Sequence, residues 1–289
     1  MFARVGVRPI LTTAAILLAA SPAAAGNALT ARQVIERIKD RLGVAWSSDT
    51  VDTFKAGDPD AKVTGVAVTF LATHSVLERA AARGLNLIIT HEPTFYNHRD
   101  ETRPFEGDPV YEAKRRFIEK HGLVVWRFHD HWHRRRPDGI LEGVVRKLGW
   151  QDYQRRDEPR LFTIPETTAG RLAETLRLAY GRAAIRVVGD PGMKCSRVAL
   201  APGAAGSRTH IRALRRDDVE VLIAGEAREW ETVEYVRDAA AQGKRKALIL
   251  LGHVISEEPG MENCARWLRG FITEAPVEFV PAGDPFWQP

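Results

Sequence analysis

The chain has 289 residues, 44% of them hydrophobic and 27% charged, with a formal charge of +5 at neutral pH. That is enough apolar material for one large core or two modest ones, and it excludes a disordered chain, a coiled coil or a small disulfide-stapled fold. So mild a charge, with no nucleic-acid motif beside the basic run 134–136, predicts no nucleic-acid partner.

Residues 1–25, MFARVGVRPILTTAAILLAASPAAA, place Arg4 and Arg8 ahead of an apolar run and a small-residue pattern ending at Ala25, the layout of a secretory signal peptide. The apolar run is shorter than the ~20 residues of a bilayer span, and no later stretch reaches that length. The mature chain is therefore expected to be exported, periplasmic or secreted, without a membrane span.

A helix follows: Thr30 and Gln33 form a capping box, Val34, Ile35, Ile38 and Leu42 share one face, and Gly43 closes the end. VTGVAVTF (63–70) reads as a strand and SVLERAAARG (75–84) as a helix. LNLIIT (85–90) is a strand apolar on both faces, as parallel sheets require. Next come a helix in DPVYEAKRRFIEKHG (108–122) with Val110, Ala113, Phe117 and Ile118 inward, the strand LVVWRF (123–128) and the helix GILEGVVRKLG (139–149). Residues 151–168, charged and proline-bearing, mark a junction between an N-terminal α/β unit (26–152) and a C-terminal one (153–289). Beyond it come the strands RVALAPG (197–203), VEVLIAG (219–225), KALILLG (246–252) and VEFVP (277–281). Helices are expected in HIRALRR (210–216), REWETVEYVRDAAAQ (228–242) and ENCARWLRGFI (262–272). The fold class is α/β, two layered units with mostly parallel strands, and LIITHE and LILLGH look like counterparts in two halves.

Three of these strands run straight into histidine and carboxylate: LNLIIT into His91 and Glu92, LVVWRF into His129, Asp130, His131 and His133, and KALILLG into His253 with Glu257 four residues on. Ligands of open α/β sheets bind beyond the carboxyl ends of the strands. Imidazole with carboxylate suits zinc, manganese, iron, cobalt or nickel, so a divalent-metal site is the economical reading. On an extended chain His129, His131 and His133 project to one side. His253 and Glu257 lie one turn apart if a helix begins there. His91 and Glu92 face opposite ways on a regular strand; they share a site only on the turn that Pro93 enforces, or serve two ions. Asp130 and His131 are either further ligands, a second layer orienting His129 and His133, or surface residues. GAAG (203–206) reads as a tight strand-to-helix turn whose amides can receive an anion, and Trp132 and Tyr96 either line a substrate or pack. Cys195 and Cys264, the only cysteines, either pair or stay buried and free.

IITHEPTFYNH, the GE of LIAGEAREWET and the GH-x-x-S-E of LGHVISEEPGM, in this chain order and spacing, resemble the Nif-three-like dinuclear-metal family, also called GTP cyclohydrolase 1 type-two homologues. The resemblance implies two α/β domains, a metal pair in the cleft between them and a toroidal hexamer. Carried over by position, the implied metal ligands are His91, Glu92, His133, His253 and Glu257, with His129 at the histidine that precedes the family's aspartate slot. Glu92 stands where the family has a second histidine and His133 where it has an aspartate. The exchange keeps three imidazoles and two carboxylates, so the ligand charge is unchanged.

Two divalent ions favour metal-dependent hydrolysis of a small-molecule phosphoester, amide or ring, with Glu257 as the bridging ligand and Glu92, if not bound to metal, as general base. Cyclohydrolase activity comes only from the family's name, and an exported protein meets little GTP. HDHWH is similar to the H-x-H-x-D-H of metallo-β-lactamase-like hydrolases but fails at the D-H step, where His133 and Arg134 stand. The non-catalytic alternative is a metal-binding oligomeric scaffold or a metal store.

Overall fold

The computed structural model describes residues 28–181 and 184–287; the signal peptide expected over 1–25 lies outside the described residues. In chain order the first elements are α1 (Ala31–Leu42), β1 (Phe54–Ala56), β2 (Val66–Thr69), α2 (His74–Ala82), β3 (Leu87–Thr90), α3 (Pro109–Lys120), β4 (Val124–Arg127), α4 (Asp130–Arg134) and α5 (Gly139–Leu148). Then come β5 (Leu161–Thr168), α6 (Ala169–Ala179), β6 (Arg186–Val188), β7 (Lys194–Ala201), α7 (Ser207–Leu214), β8 (Val221–Ala224), α8 (Glu234–Ala241), β9 (Ala247–Leu250), α9 (His253–Arg269) and β10 (Val277–Phe279). Among the described residues no helix is long and apolar enough to cross a membrane.

Two five-stranded, mostly parallel sheets carry the fold, in the orders β1-β4-β3-β2-β10 and β5-β7-β8-β9-β6. Their central strands are apolar without alternation because both faces are covered. One side of each sheet, Val66, Val68, Leu87, Ile89 and Trp126 in the first and Val221, Ile223 and Ile249 in the second, joins a common core with α1, α5, α6 and α9. The other side of the first sheet packs on α2 and α3, and that of the second on α7 and α8. All parallel strands therefore sit between helical layers, and only their ends are free to carry polar chemistry.

The two sheets repeat one topology. In each, three successive strands are parallel, and the short strand preceding them pairs antiparallel with the third: β1 with β4, β6 with β9. The equivalent of β9 is thus β4 and not β3, one strand away from the pairing of LIITHE with LILLGH.

Three further expectations change. Residues 161–168, read as part of a junction, form β5, an edge strand antiparallel to β7 whose register breaks between Thr163 and Thr167, around Pro165. An edge tolerates the missing proline N–H. The helix read over 262–272 starts at His253 and holds Pro259 in its interior. After it, β10 returns to the first sheet, parallel to β2 with Val277 opposite Val66. Sheet membership therefore does not follow a single division at 152/153.

Helices α5 and α9 meet backbone to backbone: a Cβ on Gly143 would lie 2.2 Å from the Pro259 carbonyl oxygen, and one on Gly260 2.5 Å from the Ile140 Cα. This contact fixes the N-terminal half of α9 over the strand ends. Gly143→Ala should destabilise the protein by about 3 kcal/mol in urea unfolding, although alanine is the better helix former, because neither backbone can yield. A neutral or stabilising effect would show that α9 is free to shift.

Candidate metal centre

The six residues named from the strand ends converge. β3 ends at Thr90, and His91 and Glu92 lie on the bend before Pro93, so both side chains turn to the same side. The α9 helix starts at His253, which sets Glu257 one turn on; their side chains meet at 3.1 Å. His129 and His133 reach the same place by another route. The segment 130–134 is a short helix and not an extended chain, and the His133 N–H donates to the His129 carbonyl. Helical spacing puts His129 and His133 on one face and sends His131 to the other.

Four imidazoles aim Nε2 inward at two carboxylates. His91 Nε2 lies 3.6 Å from Glu257 Oε2, His133 Nε2 3.7 Å from Glu257 Oε1, and His129 Nε2 3.6 Å from Glu92 Oε1. His253 Nε2 sits between both carboxylates, 3.4 Å from Glu92 Oε1. Three of the outer nitrogens are tied to acceptors: His91 Nδ1 donates to the Phe128 carbonyl at 3.0 Å, His129 Nδ1 to Asp130 at 2.9 Å, and His133 Nδ1 faces Asp138 at 3.3 Å. Such outer hydrogen bonds fix ring orientation and leave the Nε2 lone pair free to face a cation.

His91 is fully buried, and its Nε2 has no hydrogen-bond partner. A buried polar atom left unpaired costs roughly 1–3 kcal/mol, so its persistence needs a reason. Ligand atoms of His91, His129 and His133 lie within 4.8 Å of one another, as do those of His91, Glu92 and Glu257. His91 is common to both groups, and this buried His/Glu cluster can hold a metal ion. A Cβ on Gly203, which has φ +70°, would lie 2.3 Å from Glu257 Oε1. The first residue of GAAG thus makes room for the Glu257 carboxylate.

The electrostatics suit cation binding. Burial, with the neighbouring His129 and His133, holds the His91 pKa well below its ordinary value and keeps the ring neutral. Burial opposes charge on His253 too, but Glu257 and Glu92 outweigh it and lift its pKa to about 10. Burial would raise the Glu92 carboxyl; the His253 hydrogen bond and the charges of His129 and Arg127 prevail, and its pKa is lowered.

Several supports had no signal at the strand ends. Buried Arg127 donates to Glu92 Oε2 and the His91 carbonyl, both at 3.0 Å, and to the His98 carbonyl. Asp52, distant in sequence, accepts the backbone N–H groups of His129, Asp130 and His131 at 2.6, 3.0 and 2.9 Å. It also accepts His131 Nδ1 at 2.7 Å, while His131 Nε2 accepts from the Ser47 N–H. Both nitrogens of His131 are used, its ring stacks on Trp46, and it offers nothing to the centre. Asp130 orients His129. Trp132 is buried packing, and Cys195 and Cys264 are buried and free.

The Duf34/NIF3 (NGG1p interacting factor 3) family model matches residues 30–284. Among solved structures, a Staphylococcus aureus hypothetical protein, SA1388, is 17% identical with a TM-score of 0.72, covering 91% of this chain and 100% of its own. A Bacillus cereus protein related to NIF3 is 14% identical with a TM-score of 0.72, covering 91% and 100%. Reduced HcgD from Methanocaldococcus jannaschii is 14% identical with a TM-score of 0.62, covering 87% and 98%. No curated protein sequence matches significantly. At these identities the structural likeness speaks for the fold alone.

Asp52 satisfies the start of α4 and so places two imidazoles. Asp52→Ala should lower the stability of the metal-free protein by about 3 kcal/mol in urea unfolding, because it strands several buried donors. Asp49→Ala, at an exposed neighbour, should change little; equal effects of the two would remove Asp52 from this role.

Proposed function

We propose that this chain, which belongs to the Duf34/NIF3 family, binds two divalent metal ions between its two sheets and is a metal-dependent hydrolase of a small molecule. The observation that carries the reading is His91 Nε2, a buried ring nitrogen without a hydrogen-bond partner at the vertex shared by two ligand groups. Four imidazoles and a carboxylate pair fit zinc, manganese, iron, cobalt or nickel. His91, His129 and His133 would hold one ion, and Glu92 and Glu257, with His253 beside them, the other. Divalent ions supply Lewis acidity: they polarise a substrate oxygen and acidify water toward neutral pH.

The chain's own residues set what can happen there. Glu257 presents one oxygen to His133 and the other to His91 and His253, the arrangement expected of a carboxylate serving both groups. Glu92 is held by Arg127 with a lowered pKa, which suits a ligand better than the general base considered from sequence. Glu226, at the end of the strand before β9, lies 3.7 Å from His253 Nδ1 with its side chain 59% exposed, and is better placed to exchange protons with solvent. A cavity of about 660 Å³ opens beside Glu92, Glu226 and His253. An open approach is the mark of a reactive site, whereas structural metal sites are closed.

Calorimetric titration of chelator-treated protein with Mn²⁺ or Zn²⁺ should show two ions per chain, both lost in His91→Ala. No metal after purification without chelator, and none taken up on titration, would overturn the metal reading. Across a panel of esters, phosphates and amides, turnover should require metal and vanish in His253→Ala. Tight metal binding with no turnover on any member would favour the storage or scaffold role.

A further inference from the structure

The cavity beside the metal centre is bordered by Leu71 to His74 at the start of α2, by the loop carrying Tyr96, Asn97 and His98, by Glu92 and His253, and by Lys114 of α3. Lys114 is the unexpected member. The helix was expected to turn Val110 and Ala113 inward; instead Val110 is 64% exposed and Lys114 5%. A helix with an apolar residue available has been rotated to bury a cation.

That cation is poorly compensated. Its one hydrogen bond goes to the Thr94 carbonyl at 2.6 Å, and among the described residues no carboxylate lies within ion-pair distance of it. The remaining ammonium protons face the rings of Tyr96 and Phe95, with Nζ at 5.3 and 5.8 Å from their centroids. Burial, only partly offset by the more distant Asp100, lowers its pKa to about 8, so it still carries its charge near neutral pH. The Thr94 hydroxyl is also buried without a partner.

The loop above it is strained. Tyr96 has φ +50°, a region that bulky residues rarely enter and that costs of order 1–3 kcal/mol. Asp100 holds this conformation by accepting the Thr94 and Phe95 N–H groups at 2.6 and 2.8 Å, and Asn97 accepts the Glu101 N–H at 3.0 Å. The result is a half-exposed ring over Lys114 at the cavity wall.

We infer that Lys114 is a substrate-binding residue: its ammonium takes a carboxylate or phosphate group of a small organic anion, whose other end lies against Glu92 and His253. The anion supplies the missing counter-charge, and the Tyr96 ring covers the pair from solvent. The inference rests on the proposed hydrolase only in making this cavity the substrate's approach to the metals, because anion capture by Lys114 needs no metal.

The test uses chelator-treated full-length protein, so that no ion competes for the anion, with benzoate, phenyl phosphate and neutral benzamide followed by calorimetry. Benzoate or phenyl phosphate should bind saturably and benzamide should not, and the tighter of the two anions identifies the group. Lys114→Met should weaken that binding at least tenfold and Lys114→Arg by less, with the stoichiometry of metal uptake unchanged in both. Equal anion affinity in wild type and Lys114→Met, or no preference over benzamide, would overturn the inference. If Lys114→Met does not fold, the wild-type side-chain resonances of Lys114 and Tyr96 decide: they should shift with the anion and stay still with benzamide, and an anion that leaves both unmoved excludes the role. Failure of metal uptake with anion binding intact would remove the hydrolase and leave the Lys114 site.

Discussion

The site depends on one constraint: a fully buried imidazole, His91, pinned through Nδ1 to the Phe128 carbonyl so that its bare Nε2 faces the meeting point of two ligand groups. The acceptor belongs to the residue just past β4, so the hydrogen bond locks the end of one parallel strand to the next. Were the ring to flip or tilt, both groups would lose their common member. Arg127 and Asp52 serve this arrangement from either side, one holding the His91–Glu92 bend and the other the start of α4.

The rest of the centre follows from the repeated topology. β4 and β9 occupy equivalent places in their sheets, and each is followed within a few residues by a helix bearing ligands four residues apart, His129 with His133 and His253 with Glu257. The two halves thus offer one device, a strand end feeding an i,i+4 pair, and His91 and Glu92 stand between them. The close α5–α9 contact holds the second pair at the distance the first requires.

The central strands were legible because burial on both faces leaves an unbroken apolar run, and the ligands because polar residues at the ends of such runs have few other uses. The capping box of α1 was legible for the same local reason. Elements below the reach of periodicity were not: α4 has five residues, too few to distinguish a helix from an extended chain, so the spacing of His129, His131 and His133 left open which way the His131 ring turns. The short antiparallel edges β1 and β6 carry no run, and β5 contains a proline. Nothing local announces that β10 crosses to the first sheet. Asp52 and Lys114 escaped because each acts across a large sequence separation, and because ranking α3 by hydrophobicity assumes that its inner face holds no charge. That assumption fails where a cavity needs a cation.

Anomalous diffraction from crystals of Mn²⁺- or Zn²⁺-loaded protein tests the convergence most directly. Two peaks are expected in the cluster, both within bonding distance of its ligand atoms, one against His129 and His133 and one against Glu92 and Glu257, with His91 Nε2 facing them. Fully loaded crystals whose peaks lie elsewhere, with His91 Nε2 contacting no ion, would contradict it.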